Sequence, residues 1–135
     1  MIVYTDSLDG ITASNLEGFF VGWPNPPSPA THLKFLRGSD EIILAIDDET
    51  RMVVGFVTAI TDGVLCAYIP FLEVLPQYQK LGIGGNLMRK VIRKFERLYM
   101  IDLLCGQGLQ PFYSRFEMRP ATAMTVRNFD RQSGA

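Results

Sequence analysis

One histidine, two cysteines and no long uncharged apolar run leave this 135-residue chain without the signals that mark several whole classes of protein. Cys66 and Cys105 both lie in apolar stretches. Two such residues build no disulfide framework, and two buried, reduced thiols are expected instead. No segment reaches the ~18 consecutive apolar residues of a membrane-spanning helix. The start, Met1–Asp6, has no basic segment ahead of an apolar one of the kind a secretory leader carries. A cytoplasmic location with no membrane partner is therefore expected. Charge is nearly balanced, with 13 Lys and Arg against 14 Asp and Glu, so nucleic acid is not indicated as a partner either. Internal repeats are absent, and no metal is expected.

What is present is an ordinary folding composition, 47% hydrophobic and 20% charged. It suits one compact domain over residues 1–135, since domains commonly run from about 50 to 250 residues. Residues 1–5 read as a short strand and Ser7–Phe20 as a helix, with Ile11, Leu16, Phe19 and Phe20 on one face. The proline-rich run Gly22–Pro29 cannot continue that helix. A short helix is expected over Thr31–Arg37. Strands follow over Glu41–Ile46, Met52–Ile60 and Val64–Leu75, separated by the polar turns Asp47–Thr50 and Thr61–Gly63, which predicts an antiparallel meander. Pro70 interrupts the third of these and cannot donate to a ladder, so it marks a bulge or a place where a neighbour has parted. Leu87, Met88, Val91, Ile92, Phe95, Leu98 and Tyr99 form a helical stripe, with Arg89, Lys90, Arg93, Lys94 and Arg97 on the solvated face. A strand at Ile101–Cys105, a helix at Gln107–Arg115 and a closing strand at Ala123–Phe129 complete the reading. The fold class is α/β (α+β by some schemes), with a mixed, mostly antiparallel sheet of six to seven strands and about four helices.

Between the third strand and the long helix lies Leu72–Asn86, where the strand pattern breaks at Pro76 and resumes as a helix after Gly82, Gly84 and Gly85. Glycines let the backbone turn tightly and approach a ligand closely. The helix start adds unpaired N–H groups and about half a positive charge, a combination that suits a phosphate. Gln79 and Lys80 stand beside it as a further donor and a cation. Two other phosphate motifs do not fit. Leu87 occupies the third glycine position of a dinucleotide fingerprint, and no Gly-Lys-Ser/Thr sequence is present for a Walker loop.

Gln79-Lys80-Leu81-Gly82-Ile83-Gly84 resembles the Gln/Arg-x-x-Gly-x-Gly/Ala signature of the GCN5-related N-acetyltransferase (GNAT) family, and Val74-Leu75-Pro76 is similar to its Val-x-Pro element. The likeness runs from Val53 to the C-terminus. It implies that backbone amides over Gln79, Lys80, Leu81, Gly82, Ile83, Gly84 and Gly85 hold the pyrophosphate of acetyl-coenzyme A (acetyl-CoA). It further implies that Leu72 and Val74 bond the pantetheine arm, in a sheet splayed between the strand at 64–75 and the strand at 100–105. The reaction implied is acetyl transfer to a primary amine, of a small molecule in the first instance, by direct attack in a ternary complex. Tyr113, in Phe112-Tyr113, occupies the position of the family's general acid, and a phenol keeps its proton at neutral pH. A non-catalytic acyl-CoA sensor and a protein N-acetyltransferase remain alternatives, and the resemblance allows a homodimer through the sheet edge or the C-terminal strand.

Glu73 is the general-base candidate, because burial of a carboxylate among apolar residues raises its proton affinity. Two-residue periodicity equally allows a glutamate on the strand's outer face, with water relays as the base. Trp23, Asn25 and His32 lie in or beside the proline loop and are candidates for acceptor recognition. Cys105 is not read as a nucleophile, since no histidine follows it. Two residues depart from the family pattern: Glu117 replaces a glycine, which predicts a reshaped turn, and Gly106 replaces an asparagine.

Overall fold

The computed structural model describes all residues from Met1 to Ala135. Its centre is a five-stranded sheet in simple sequence order, built of β1 (Ile2–Thr5), β2 (Glu41–Asp47), β3 (Val53–Thr61), β4 (Cys66–Val74) and β5 (Met100–Asp102). The first four pair antiparallel, and β5 joins β4 in parallel. Three α-helices accompany it: α1 (Pro29–Gly38), α2 (Ile83–Lys94) and α3 (Gln110–Ser114).

Strand periodicity sorts the core onto two faces. Along β2, Ile43 and Ala45 join the α2 side with Leu87, Met88 and Val91, while Ile42, Leu44 and Ile46 join Leu33 and Leu36 of α1 on the other. β3 is covered on both faces and is buried from Val53 to Ala59, which is why it reads as an unbroken apolar run. Its Gly55 admits α2 closely, since a Cβ there would lie 3.2 Å from Leu87 and 3.3 Å from Ile83. α1 begins where capping chemistry places it. Pro29 stands at the first helical position and the Thr31 N–H donates to Ser28 Oγ at 3.1 Å.

Several expectations are corrected. Ser7–Phe20 is not a helix. It is an irregular loop with one 3₁₀ turn at Ala13–Asn15, because Gly10 and Gly18 take positive φ angles of 77° and 92°. Ile11, Leu16 and Phe20 still bury together, so their shared face was legible although its backbone was not. The long helix stops at Lys94, and Tyr99 is 81% exposed rather than part of its stripe. The strand expected at Ala123–Phe129 is absent, which with the short β5 makes five strands instead of six or seven. No backbone group from 118 to 127 bonds to another backbone group, since no strand lies alongside to pair with it. Cys105 is exposed and Cys66 half-buried, and both are free. β5 ends at Asp102, so the apolar run after it lines an opening instead of entering the sheet.

Candidate functional site

The opening follows from two features of β4. Its register against β3 slips between Thr58–Phe71 and Ile60–Tyr68, two steps along β3 matching three along β4, so the extra residue falls at Ile69–Pro70, where a proline is tolerated. On its other side β4 is held by β5 only at Cys66, Ala67 and Tyr68. Beyond that point the two strands part, and the edge of β4 through Leu72 and Val74 has no strand partner. A cavity of about 530 Å³ occupies the gap.

At one end of the gap the chain turns into α2. Lys80 and Gly82 have φ of +65° and +82°, and Gly82 caps the helix in the left-handed conformation. Successive turns of this kind expose N–H groups on one concave side. None of the six N–H groups from Lys80 to Gly85 donates to another backbone group, and the first helical closure here is Asn86 N–H to the Gly82 carbonyl at 3.1 Å. Lys80 to Gly85, six of the seven expected cradle residues, are thus contiguous with unpaired amides, whereas the Gln79 N–H donates to the Pro76 carbonyl at 3.3 Å. Gln79 acts differently from its expected role: its Nε2 donates to the Val74 carbonyl at 3.0 Å, tying the loop to the end of β4.

Across the gap, α3 sets Tyr113 beside Leu103, Leu104, Cys105 and Leu109 in the cavity wall. Burial, with a smaller contribution from Cys105, pushes the Tyr113 phenol above its ordinary pKa of 10, so it holds its proton at neutral pH. The opposite wall carries Phe20, Trp23 and Phe71, whose rings lie 5.1–6.5 Å apart, together with Glu73. Both Glu73 carboxylate oxygens accept from the Phe20 N–H at 2.9 Å, and Oε2 also accepts from Val21 N–H at 3.4 Å. That carboxylate holds a strained turn, in which Phe20 has φ of +63° between Gly18 and Gly22, at 92° and 82°.

Compared with known proteins, the chain matches the acetyltransferase (GNAT) family over residues 8–118. This chain belongs to the GNAT family. It is similar to a Deinococcus radiodurans R1 protein described as a candidate acetyltransferase, with 42% identity, a TM-score of 0.96, and coverage of 99% of this chain and 93% of that one. A GNAT-family acetyltransferase of Streptococcus pneumoniae TIGR4 shares 27% identity at a TM-score of 0.76, over 95% of this chain and 98% of its own. AAC(6′)-Iy, solved with the bisubstrate analogue CoA-S-monomethyl-acetylneamine, shares the fold at 16% identity and a TM-score of 0.66, over 95% and 98% of the two chains. No curated protein matches.

For this GNAT chain the structure also revises three residues and places a fourth. His32 is fully buried among Phe19, Phe20, Phe35 and Phe56, with neither ring nitrogen hydrogen-bonded, and it does not line the cavity. Desolvation lowers its pKa from 6.5 to about 4, so it is a neutral core ring and not an acceptor contact. Asn25 is exposed, outside the cavity lining, and its N–H donates to Gln132 Oε1 at 3.0 Å. Glu117 takes φ of +64°, so the turn is not reshaped around it: the glutamate itself adopts the left-handed conformation that a glycine would favour. Gly106 starts the 3₁₀ turn before α3.

Arg89 and Arg115 were missed. A Cβ on Gly85 would meet Arg89 Nη2 at 3.2 Å and Arg115 Nη2 at 3.5 Å, and neither guanidinium joins the ion pairs of the molecule. Both lie over the Phe116 ring, at 5.9 and 5.7 Å. Arg89 is four residues after Gly85, a helical spacing that could have flagged it. Arg115 arrives from α3 and had no local signal.

Proposed function

We propose that this chain is an acetyl-CoA-dependent N-acetyltransferase, one domain over residues 1–135, acting in the cytoplasm on a primary amine of a small molecule by direct attack in a ternary complex. The observation that carries the reading is the run of six unpaired N–H groups at Lys80–Gly85, which begins directly after Gln79, a residue that lines the same cavity as Tyr113. A diphosphate fits that cradle, because it needs several donors and positive charge, and Arg89 and Arg115 lie against it. When bound, acetyl-CoA would supply an acyl group already activated as a thioester.

The roles of the chain's own residues follow from their chemistry. The edge of β4 that no strand covers offers the backbone groups of Leu72 and the Val74 N–H to an extended arm, as an added strand would use them, while the Val74 carbonyl is held by Gln79 Nε2. Tyr113 holds a proton at neutral pH and gives it to the departing sulfur. Glu73 borders the acceptor side and takes the amine proton directly or through water. Its bonds to Phe20 and Val21 leave it fixed in position for either route.

Saturating acetyl-CoA should raise the melting temperature, and thiol release should follow addition of a suitable amine. No thermal shift would count against the donor assignment. A shift without turnover on any amine would turn the reading toward an acyl-CoA sensor.

The homodimer belongs to the same proposal. Met124 and Val126 alternate as in a strand and are 97% and 92% exposed, while the outer edge of β5 is unpaired. Donor and acceptor of a strand pair on one chain favour a reciprocal exchange between two copies. Light scattering should give twice the chain mass, and truncation after Pro120 should give the chain mass.

A further inference from the structure

The acceptor side of the gap has a composition that selects among amines. Of the cavity's lining residues Glu73 alone is charged, and no Lys or Arg is among them. An acceptor carrying phosphate or carboxylate would lose its water there without gaining a cation. A polyamine or an aminoglycoside would bring several ammonium groups to one carboxylate that already accepts two backbone N–H groups. The rest of the lining is mostly apolar, with Gln79, Cys105 and Tyr113 as its polar groups. Phe20, Trp23 and Phe71 form one side, and Leu104 and Leu109, 42% and 53% exposed, face the gap from the other with nothing packed over them.

We propose that the acceptor is a small primary amine with one positive charge and a flat apolar body, such as an arylalkylamine. It lies against Trp23 and Phe71, with its nitrogen toward Glu73. This rests on the N-acetyltransferase reading and narrows its substrate. The physical basis is a match of types. Aromatic rings bury large area with little conformational entropy and attract the edge or cation of a ligand, while the single carboxylate admits one ammonium. Burial of the apolar body supplies affinity, and the lone anion fixes which end faces the sulfur. The turn held by Glu73 acts on the same wall, since it sets both the Phe20 ring and the approach of Trp23.

Trp23 is the chain's one tryptophan, so its fluorescence reports this wall directly. The protein with coenzyme A bound should show a saturable fluorescence change with 2-phenylethylamine, at an affinity at least about tenfold above spermidine or glucosamine 6-phosphate. Thiol release from acetyl-CoA should rank the three amines in the same order. Phe71→Ala should weaken 2-phenylethylamine binding by about tenfold and leave the acetyl-CoA thermal shift in place. If that variant does not fold, Phe71→Leu, which keeps much of the volume and removes the ring, should give a smaller loss in the same direction. Equal or tighter binding and faster turnover of spermidine or glucosamine 6-phosphate would overturn the inference and leave the transferase reading intact. A fluorescence response to 2-phenylethylamine without thiol release from any amine would overturn the transferase reading and leave the pocket assignment standing.

Discussion

In the proposed reading the two sides of the gap recognise their ligands with different parts of the chain. On the donor side the instruments are backbone groups: the unpaired N–H run at Lys80–Gly85 and the free edge of β4, all within Leu72–Gly85. On the acceptor side they are side chains gathered from Phe20–Trp23, Phe71–Glu73 and Leu103–Leu109. A backbone cradle depends on conformation and tolerates most side chains. An aromatic wall depends on side chains and tolerates little.

The largest effect falls between the two sides. Tyr113→Phe keeps the ring and removes the proton, and it should lower turnover on the order of 10²-fold while acetyl-CoA affinity stays within a factor of two or so. Unchanged turnover in steady-state kinetics would remove Tyr113 from the mechanism.

The core packed behind Phe20 of the acceptor wall should be the acid-sensitive part of the fold. His32 has a folded pKa of about 4 against 6.5 when unfolded, so the unfolded chain binds a proton that the folded chain refuses. Its contribution is complete above pH 6.5 and is lost as pH falls from there to about 4. At about 1.4 kcal/mol per pH unit, that is on the order of 3 kcal/mol. Denaturant melts at pH 7.5 and 4.5 should differ by less in His32→Leu than in the parent, and an identical pH dependence would show that His32 is not the group responsible.

The donor side offers a paired contrast. Gly82→Ala forces a Cβ into φ of +82° although nothing lies within 4 Å to clash. The left-handed strain of about 1–2 kcal/mol should weaken acetyl-CoA binding by about tenfold. Leu81→Ala, at a residue 66% exposed, should leave it almost unchanged. Calorimetry giving equal losses for both would mean that this cradle works through side chains after all.

The smallest expected effect is at Glu117, whose φ of +64° suits glycine. Glu117→Gly should stabilise the fold by about 1 kcal/mol or less, measured as a change in denaturation midpoint.

Legibility in the sequence followed the same division. The meander of β2, β3 and β4, the break at Pro70 and the cradle before α2 are local events, written in strand periodicity, a missing N–H and glycine positions. The loop at Ser7–Phe20 was misread because its apolar spacing suits a helix, and only the positive φ of Gly10 and Gly18 shows that it is not one. His32 was misread because nothing near it in sequence announces Phe35, Phe56 and Phe20 closing around it. Arg115 at the cradle and Cys105 on the cavity wall escaped for the same reason, since each is placed by a neighbour distant in the chain.

By itself, then, the sequence determined the family and the glycine turn into α2, because turn chemistry, helix starts and strand alternation act over a few residues. Only the tertiary structure decided that Glu73 holds the Phe20 turn, that His32 is sealed in the core and that Trp23 meets Phe71 across the acceptor wall. Those contacts join residues tens of positions apart, and their partners are set by how the sheet's two faces pack rather than by any local preference.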